Sequence, residues 1–190
     1  MTDSPRKLIR QAVTALLATP SADDPPQYPT PAGSRVYPNR VLHLPESALP
    51  ALLVYTLKES NAGEVEIDVP LRSLTLLMEV RSAGDEELDD LLDDTAWAVE
   101  QLLIDHPDLG LSVPGLDIQE VTWQEFSLVA DESGALIDGR AVCEIEVRYS
   151  RRQPAAEFDL APFERVHSRQ LGPSPEEGGA VVEVRAELPQ

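Results

Sequence analysis

The stretch from Leu71 to His106 does most to restrict how this chain can fold. It opens with a run of strand character, Leu71-Arg72-Ser73-Leu74-Thr75-Leu76-Leu77-Met78-Glu79-Val80, and breaks at Ser82-Ala83-Gly84. A strongly acidic helical segment follows, from Asp85 to about Asp105. Its apolar positions, Leu88, Leu91, Leu92, Thr95, Val99, Leu102 and Leu103, cover about 100° of arc at helical spacing, the pattern of a helix lying on a sheet. Ser82 or Asp85 can cap it, the acids of its first turns suit the positive end of the helix dipole, and Pro107 ends it. A strand feeding such a helix calls for a sheet with helices packed over it.

The flanking segments supply that sheet. Ser4-Pro5 starts a first helix; Leu8, Ile9, Ala12, Val13, Leu16 and Leu17 repeat at helical spacing, and the helix ends near Thr19-Pro20. Residues 20–34 form a proline-rich loop, with Pro25, Pro26, Pro29 and Pro31. Arg35-Val36-Tyr37 is a short strand. Leu49-Pro50-Ala51-Leu52-Leu53-Val54-Tyr55-Thr56 is a continuous apolar run that reads as a buried central strand. Val65 to Val69 alternates as a separate half-exposed strand, interrupted by Pro70 before the strand that begins at Leu71. Leu116 to Val129, carrying Trp123 and Phe126, pairs across the turn Asp131-Glu132-Ser133-Gly134 with the alternating strand Ala141 to Tyr149. The expected fold is α+β: a mixed, mainly antiparallel sheet with two helices packed on one face, over residues 1–150. Residues 151–190 read as a C-terminal extension that could form a hairpin, with Ala180 to Leu188 as a final strand.

Charge limits the partners. The chain has 15 basic and 34 acidic residues among 190, a net charge of −19, and a hydrophobic share of 42%, which is ordinary for a globular core. Such a charge repels nucleic acid and anionic membranes, and it opposes self-association unless the acids lie away from the contact. It is also uneven: between Arg81 and Arg140 there are 16 Asp and Glu and no Lys or Arg. Only Lys7 and Lys58 are lysines; arginine suits bidentate or stacked contacts, although GC-rich coding gives the same bias. Cys143 is the single cysteine, so no internal disulfide can form. No apolar signal core is visible at the N-terminus, and no apolar run approaches the ~18 residues of a membrane span. These features lead us to expect a cytosol-like compartment.

Chemistry-bearing residues are sparse. Asp89 with Asp93, or Asp90 with Asp94, lie one turn apart and could share a cation, but no EF-hand spacing is present and a solvated helix face is the ordinary reading. His43, His106 and His167 are scattered without ligand spacing. Cys143 alternates within a strand, as a buried thiol does. There is no glycine-rich phosphate loop and no paired-cysteine motif. Trp97 and Ile104 fall about 180° from Leu88 on the helical wheel, among Asp90 and Gln101. A tryptophan opposite the core face marks either an interface anchor or a surface covered by the C-terminal extension. Arg151-Arg152 is a small basic spot that pairs with a neighbour's acid or is solvated.

The order of these features resembles the minor tail protein U family, the tail terminators of long-tailed phages. The likeness covers about Leu8 to Ser150. It rests on the loop Arg35-Val36-Tyr37-Pro38-Asn39-Arg40, the Leu49 to Thr56 strand, the strand ending at Glu79-Val80, the Glu87-Leu88-Asp89 start of the main helix, and the Tyr-ended strand Ile145-Glu146-Val147-Arg148-Tyr149-Ser150. The proline-rich loop and the extension depart from the pattern. The resemblance implies a non-catalytic virion protein at the head–tail junction, assembled in the host cytoplasm. A homohexameric ring would cap the tail tube, stop its polymerisation and present the head-joining surface, while genomic DNA passes through. The implied partners are the chain itself, the major tail tube protein and head–tail connector proteins, with no membrane and no cofactor. Interface residues expected on this reading are Trp97, Ile104, Arg35, Arg40, Arg151 and Arg152. Divalent cations would aid ring assembly by screening the acid. The alternatives are a head–tail joining or tail completion protein, an acidic DNA-mimic inhibitory module, and a hydrolase, the last disfavoured because no site constellation is visible.

Overall fold

A computed structural model of the chain describes residues 3–39, 44–84, 87–131, 137–152, 166–169 and 183–186. The chain divides into two compact units, residues 1–153 and 154–190. The first holds helix α1 (Pro5–Ala18), strands β1 (Val36–Tyr37), β2 (Ala51–Glu66) and β3 (Val69–Gly84), helix α2 (Leu88–Asp105), and strands β4 (Leu116–Asp131) and β5 (Ile137–Arg151). The five strands form one mixed sheet in the order β1-β2-β3-β5-β4, in which only β1 and β2 run parallel. The fold is α+β. In the second unit, β6 (Val166–Arg169) pairs antiparallel with β7 (Glu183–Ala186).

Side-chain alternation explains why one face of this sheet is covered. Leu74, Leu76, Met78 and Val80 of β3 lie opposite Val147, Ile145, Cys143 and Ala141 of β5, and all eight are buried. Leu52 and Val54 of β2 continue the same face opposite Val80 and Met78. Because strand side chains alternate with period two, these residues form one apolar plane. Ile9, Val13 and Leu17 of α1 close it, as do Leu88, Leu92, Ala96, Val99 and Leu103 of α2. Burying each of the larger side chains contributes about 1.5–3 kcal/mol before entropy is charged. Gly139 lets α2 sit close on β5: a Cβ there would fall 2.8 Å from Leu88 Cδ2 and 3.0 Å from Leu92 Cδ1.

Four sequence expectations need correction. Val65 and Glu66 are not a separate strand; they complete β2, the chain turns at Ile67 and Asp68, and Val69 begins β3. Asp68 has φ 63°, a left-handed conformation that Asp tolerates in a turn. Pro70 does not break β3, because the pairing with β5 begins only at Leu71 and a missing donor costs least where one side of the strand is open. Ser82 caps nothing: it is buried inside β3, and the residue preceding α2 is Glu87, with no side-chain cap bond. The Asp85 cap lies outside the described residues. The core side of α2 is also rotated from the expected one, with Leu91 and Leu102 only half-buried and Ala96 buried.

The other face of the sheet carries polar pairing around a buried carboxylate. Ala51, Leu53 and Glu79 are buried there. Glu79 Oε2 accepts from the Tyr55 hydroxyl at 3.2 Å, and its Oε1 accepts from Arg81 Nε at 2.8 Å, with Arg140 Nη1 3.8 Å away. Further along the same face, Ser73 Oγ (2.9 Å) and Arg148 Nε (3.1 Å) both donate to Glu146 Oε1. These bonds, the Ser73 one foremost, hold the Glu146 carboxyl below the usual range.

Candidate functional site

The surface that stands out is the flank of α2 over the edge strand β4. At 100° per residue, the residues that seat α2 on the sheet leave Asp93, Trp97, Glu100 and Ile104 on the opposite and β4-facing sides. Trp97 is 60% exposed and Ile104 63%. Strand alternation and the register with Ile145 and Cys143 place Trp123 and Phe126 of β4 on the helix-bearing face of the sheet. There they meet α2: Asp93, Ala96, Trp97, Glu100, Trp123 and Phe126 line one open groove of about 200 Å³. Leu128, also exposed, lies two residues further along the same face of β4. Three aromatic rings and an alanine therefore form the groove walls, with two carboxylates at the rim.

Electrostatics here is one-signed. α2 carries Asp89, Asp90, Asp93, Asp94, Glu100 and Asp105 and no cation. β4 carries Asp117, Glu120, Glu125 and Asp131 and no cation. The groove thus offers mainly apolar, aromatic walls, the side chains that binding hot spots favour, in a field that favours a cationic visitor. No group of three or more potential metal ligands occurs among the described residues.

The sequence-derived candidates separate in space. Trp97 and Ile104 share α2. Arg35 is half-buried and donates from Nε to the Pro50 carbonyl (2.8 Å) and from Nη2 to the Pro31 carbonyl (3.2 Å), which ties loop to strand within the subunit. Arg151 ends β5, and Arg152, just beyond it, pairs with Glu66 of the β2–β3 hairpin at 2.8 Å. Arg40 and His43 lie outside the described residues. His106 places Nδ1 2.9 Å from the Leu102 carbonyl.

Sequence reading missed Trp123 and Phe126 as groove residues. Their signal was present in the alternation of β4, but joining them to Trp97 requires knowing that β4 is the strand beyond β5. Also missed was the hairpin tip, where Val65 and Ile67 are exposed, Ile67 to 90%. A second cavity, about 440 Å³, lies between the end of α1, the proline-rich loop and α2, and is bounded by Leu16, Tyr28, Leu102 and His106 among others.

Nucleophilic chemistry gains little support from the buried groups. Cys143 is fully buried beneath α2, and burial, with the nearby Glu100 charge adding to it, pushes its thiol up to about 12. It is a protonated core residue at neutral pH. Tyr149 donates its hydroxyl to Glu59 Oε1, while Arg6 Nη1 holds Glu59 Oε2 at 2.8 Å. Burial, then that hydrogen bond, raises the Tyr149 pKa well above the ordinary tyrosine range. This cluster joins α1, β2 and β5. Comparison of the chain with protein-family models and with curated proteins returns no match.

Proposed function

We propose that this chain is a structural assembly protein that caps the end of a phage tail tube as a homomeric ring, halts tube polymerisation and provides the surface to which the head joins. One observation carries the reading: an aromatic groove stands open along α2, whose outer face bears a tryptophan, at a lateral edge of the sheet. A monomeric protein has little use for Trp97 at 60% exposure beside an open pocket lined by Trp123 and Phe126; such clusters mark interaction surfaces. The resemblance to the minor tail protein U family supplies the kind of assembly, a hexameric ring on the tube through which DNA passes. A channel lined by acid would give phosphates no point of attachment, so the net charge of −19 suits that passage.

The direct test is tube growth. Purified tail tube protein from the same phage is polymerised with and without the chain, and tube lengths are measured by electron microscopy. The proposal expects short tubes, each capped at one end, at amounts of chain far below the amount of tube protein. Tubes of unchanged length with bare ends would overturn it.

A further inference from the structure

The two helices divide the charge of the helical layer between them. On α1, Ile9, Val13 and Leu17 face the sheet, and Leu16 borders the same cavity as Leu102 of α2. The flank of α1 that faces α2 is therefore that of Ala12 and Leu16. At 100° per residue, Lys7 and Arg10 fall on the opposite flank, facing away from α2. α1 contains Arg6, Lys7 and Arg10 and no acid. Arg6 is bound to Glu59, and Lys7 pairs with Asp3 at 2.8 Å. Arg10 has no carboxylate partner among the described residues, and its Nε is buried without an acceptor.

The other end of the layer is the reverse. Leu102 turns the near flank of α2 towards α1, and the far flank carries Asp93, Trp97 and Glu100 over Trp123 and Phe126. α1 packs on β1 and β2, at one end of the strand order, and α2 on β3, β5 and β4, at the other. The helix at one lateral end thus carries cations and no acid, with Arg10 left without a carboxylate among the described residues, and the helix at the other carries acids and no cation beside the aromatic groove.

We propose that the occupant of the Trp97 groove is a second copy of this chain, which presents the Lys7–Arg10 flank of its α1, with Arg10 seated between Asp93 and Glu100 against the Trp97 ring. The inference rests on the ring reading above and names the surfaces that join its subunits. Guanidinium is suited to this seat, since it stacks on an aromatic face while donating to flanking carboxylates. An isologous contact would set Asp93 and Glu100 against their own copies and repel. Charge complementarity therefore selects a head-to-tail contact, the kind that generates a ring when its rotation closes.

The experiment uses full-length chain in magnesium-containing buffer, with oligomer mass read by mass photometry and analytical ultracentrifugation. Two charge-reversed chains are made, one with Arg10→Glu and one with Asp93→Lys plus Glu100→Lys; Arg10→Gln is a milder third, and far-UV dichroism and Tm check folding. Each reversed chain alone should assemble at least about tenfold more weakly than the natural sequence. An equimolar mixture of the two should regain the oligomer, because acidic groove then meets basic flank and basic groove meets acidic flank. A general effect of net charge predicts instead that the double-lysine chain assembles better. Folded Arg10 variants that assemble like the natural sequence, or a mixture that stays dissociated, would overturn the head-to-tail contact while leaving the ring standing. A natural sequence that is monomeric at every concentration would overturn the ring and this contact together.

Discussion

Trp97 of α2 and Trp123 of β4 form walls of the same groove, one ring mostly exposed and the other half-buried, with Phe126 beside them. The pairing separates what a substitution at Trp97 does to folding from what it does to assembly. Trp97 lies off the core, so Trp97→Glu should change the stability of the isolated subunit by no more than about 0.5 kcal/mol. It should weaken subunit association by about 2 kcal/mol, roughly thirtyfold. Thermal melting and sedimentation on the same preparation check both halves; unchanged sedimentation would remove Trp97 from the interface.

Tyr149 gives the fold an alkaline limit. Its folded pKa is raised above the ordinary 10.0, by burial and then by the bond to Glu59. A raised folded pKa stabilises fully below the unfolded value, and that contribution is lost as pH rises from there through the folded value. Stability should therefore fall above about pH 10. Tyr149→Phe should lose about 1 kcal/mol at neutral pH and show a flatter alkaline limb. Urea titrations at neutral and alkaline pH measure this, and parallel pH profiles for the two proteins would contradict it.

Glu79 is the acid whose removal should cost the fold most. Its side chain is 7% exposed and accepts from Arg81 and Tyr55. Glu79→Ala leaves those donors facing a pocket, and because Arg81 is partly solvated the loss should be about 1–3 kcal/mol in urea unfolding. A loss under about 0.5 kcal/mol would show that water replaces the carboxylate freely.

Magnesium should favour assembly without binding at a dedicated site. Each subunit carries a net −19, and ring closure brings these charges together, so screening lowers the cost. Calcium should act like magnesium, and a higher concentration of monovalent salt should partly substitute. Sedimentation in EDTA and in each cation tests this; identical distributions throughout would contradict it, and a response to one divalent ion alone would point to a specific site.

The fold was legible wherever periodicity and burial coincided. Leu74, Leu76, Met78 and Val80 alternate on paper and are buried in the sheet; Ile9, Val13 and Leu17 repeat at helical spacing and are buried under α1. Legibility failed where tertiary pairing overrode local signals. Pro70 looked like a strand break, yet it sits inside β3 because only β2 flanks that position. Ser82 looked like a cap, yet β3 runs through it to Gly84. At the candidate site, helical spacing alone showed Trp97 and Ile104 turned away from the core. The groove was not legible, because Trp123 and Phe126 reach Trp97 only through the strand order β3-β5-β4, which places the later strand between its predecessors. The division of charge between α1 and α2 was hidden for the same reason: the sequence shows an acidic stretch without Lys or Arg after Arg81, but not that the two helices stand at opposite ends of one layer.

The most direct measurement of the central claim is negative-stain electron microscopy of the purified chain at concentrations where mass photometry shows assembly, with magnesium present. The account predicts closed rings of fixed copy number around a central opening, lost on Trp97→Glu while the subunit stays folded. Monomers at every concentration, or twofold dimers without an opening, would contradict it.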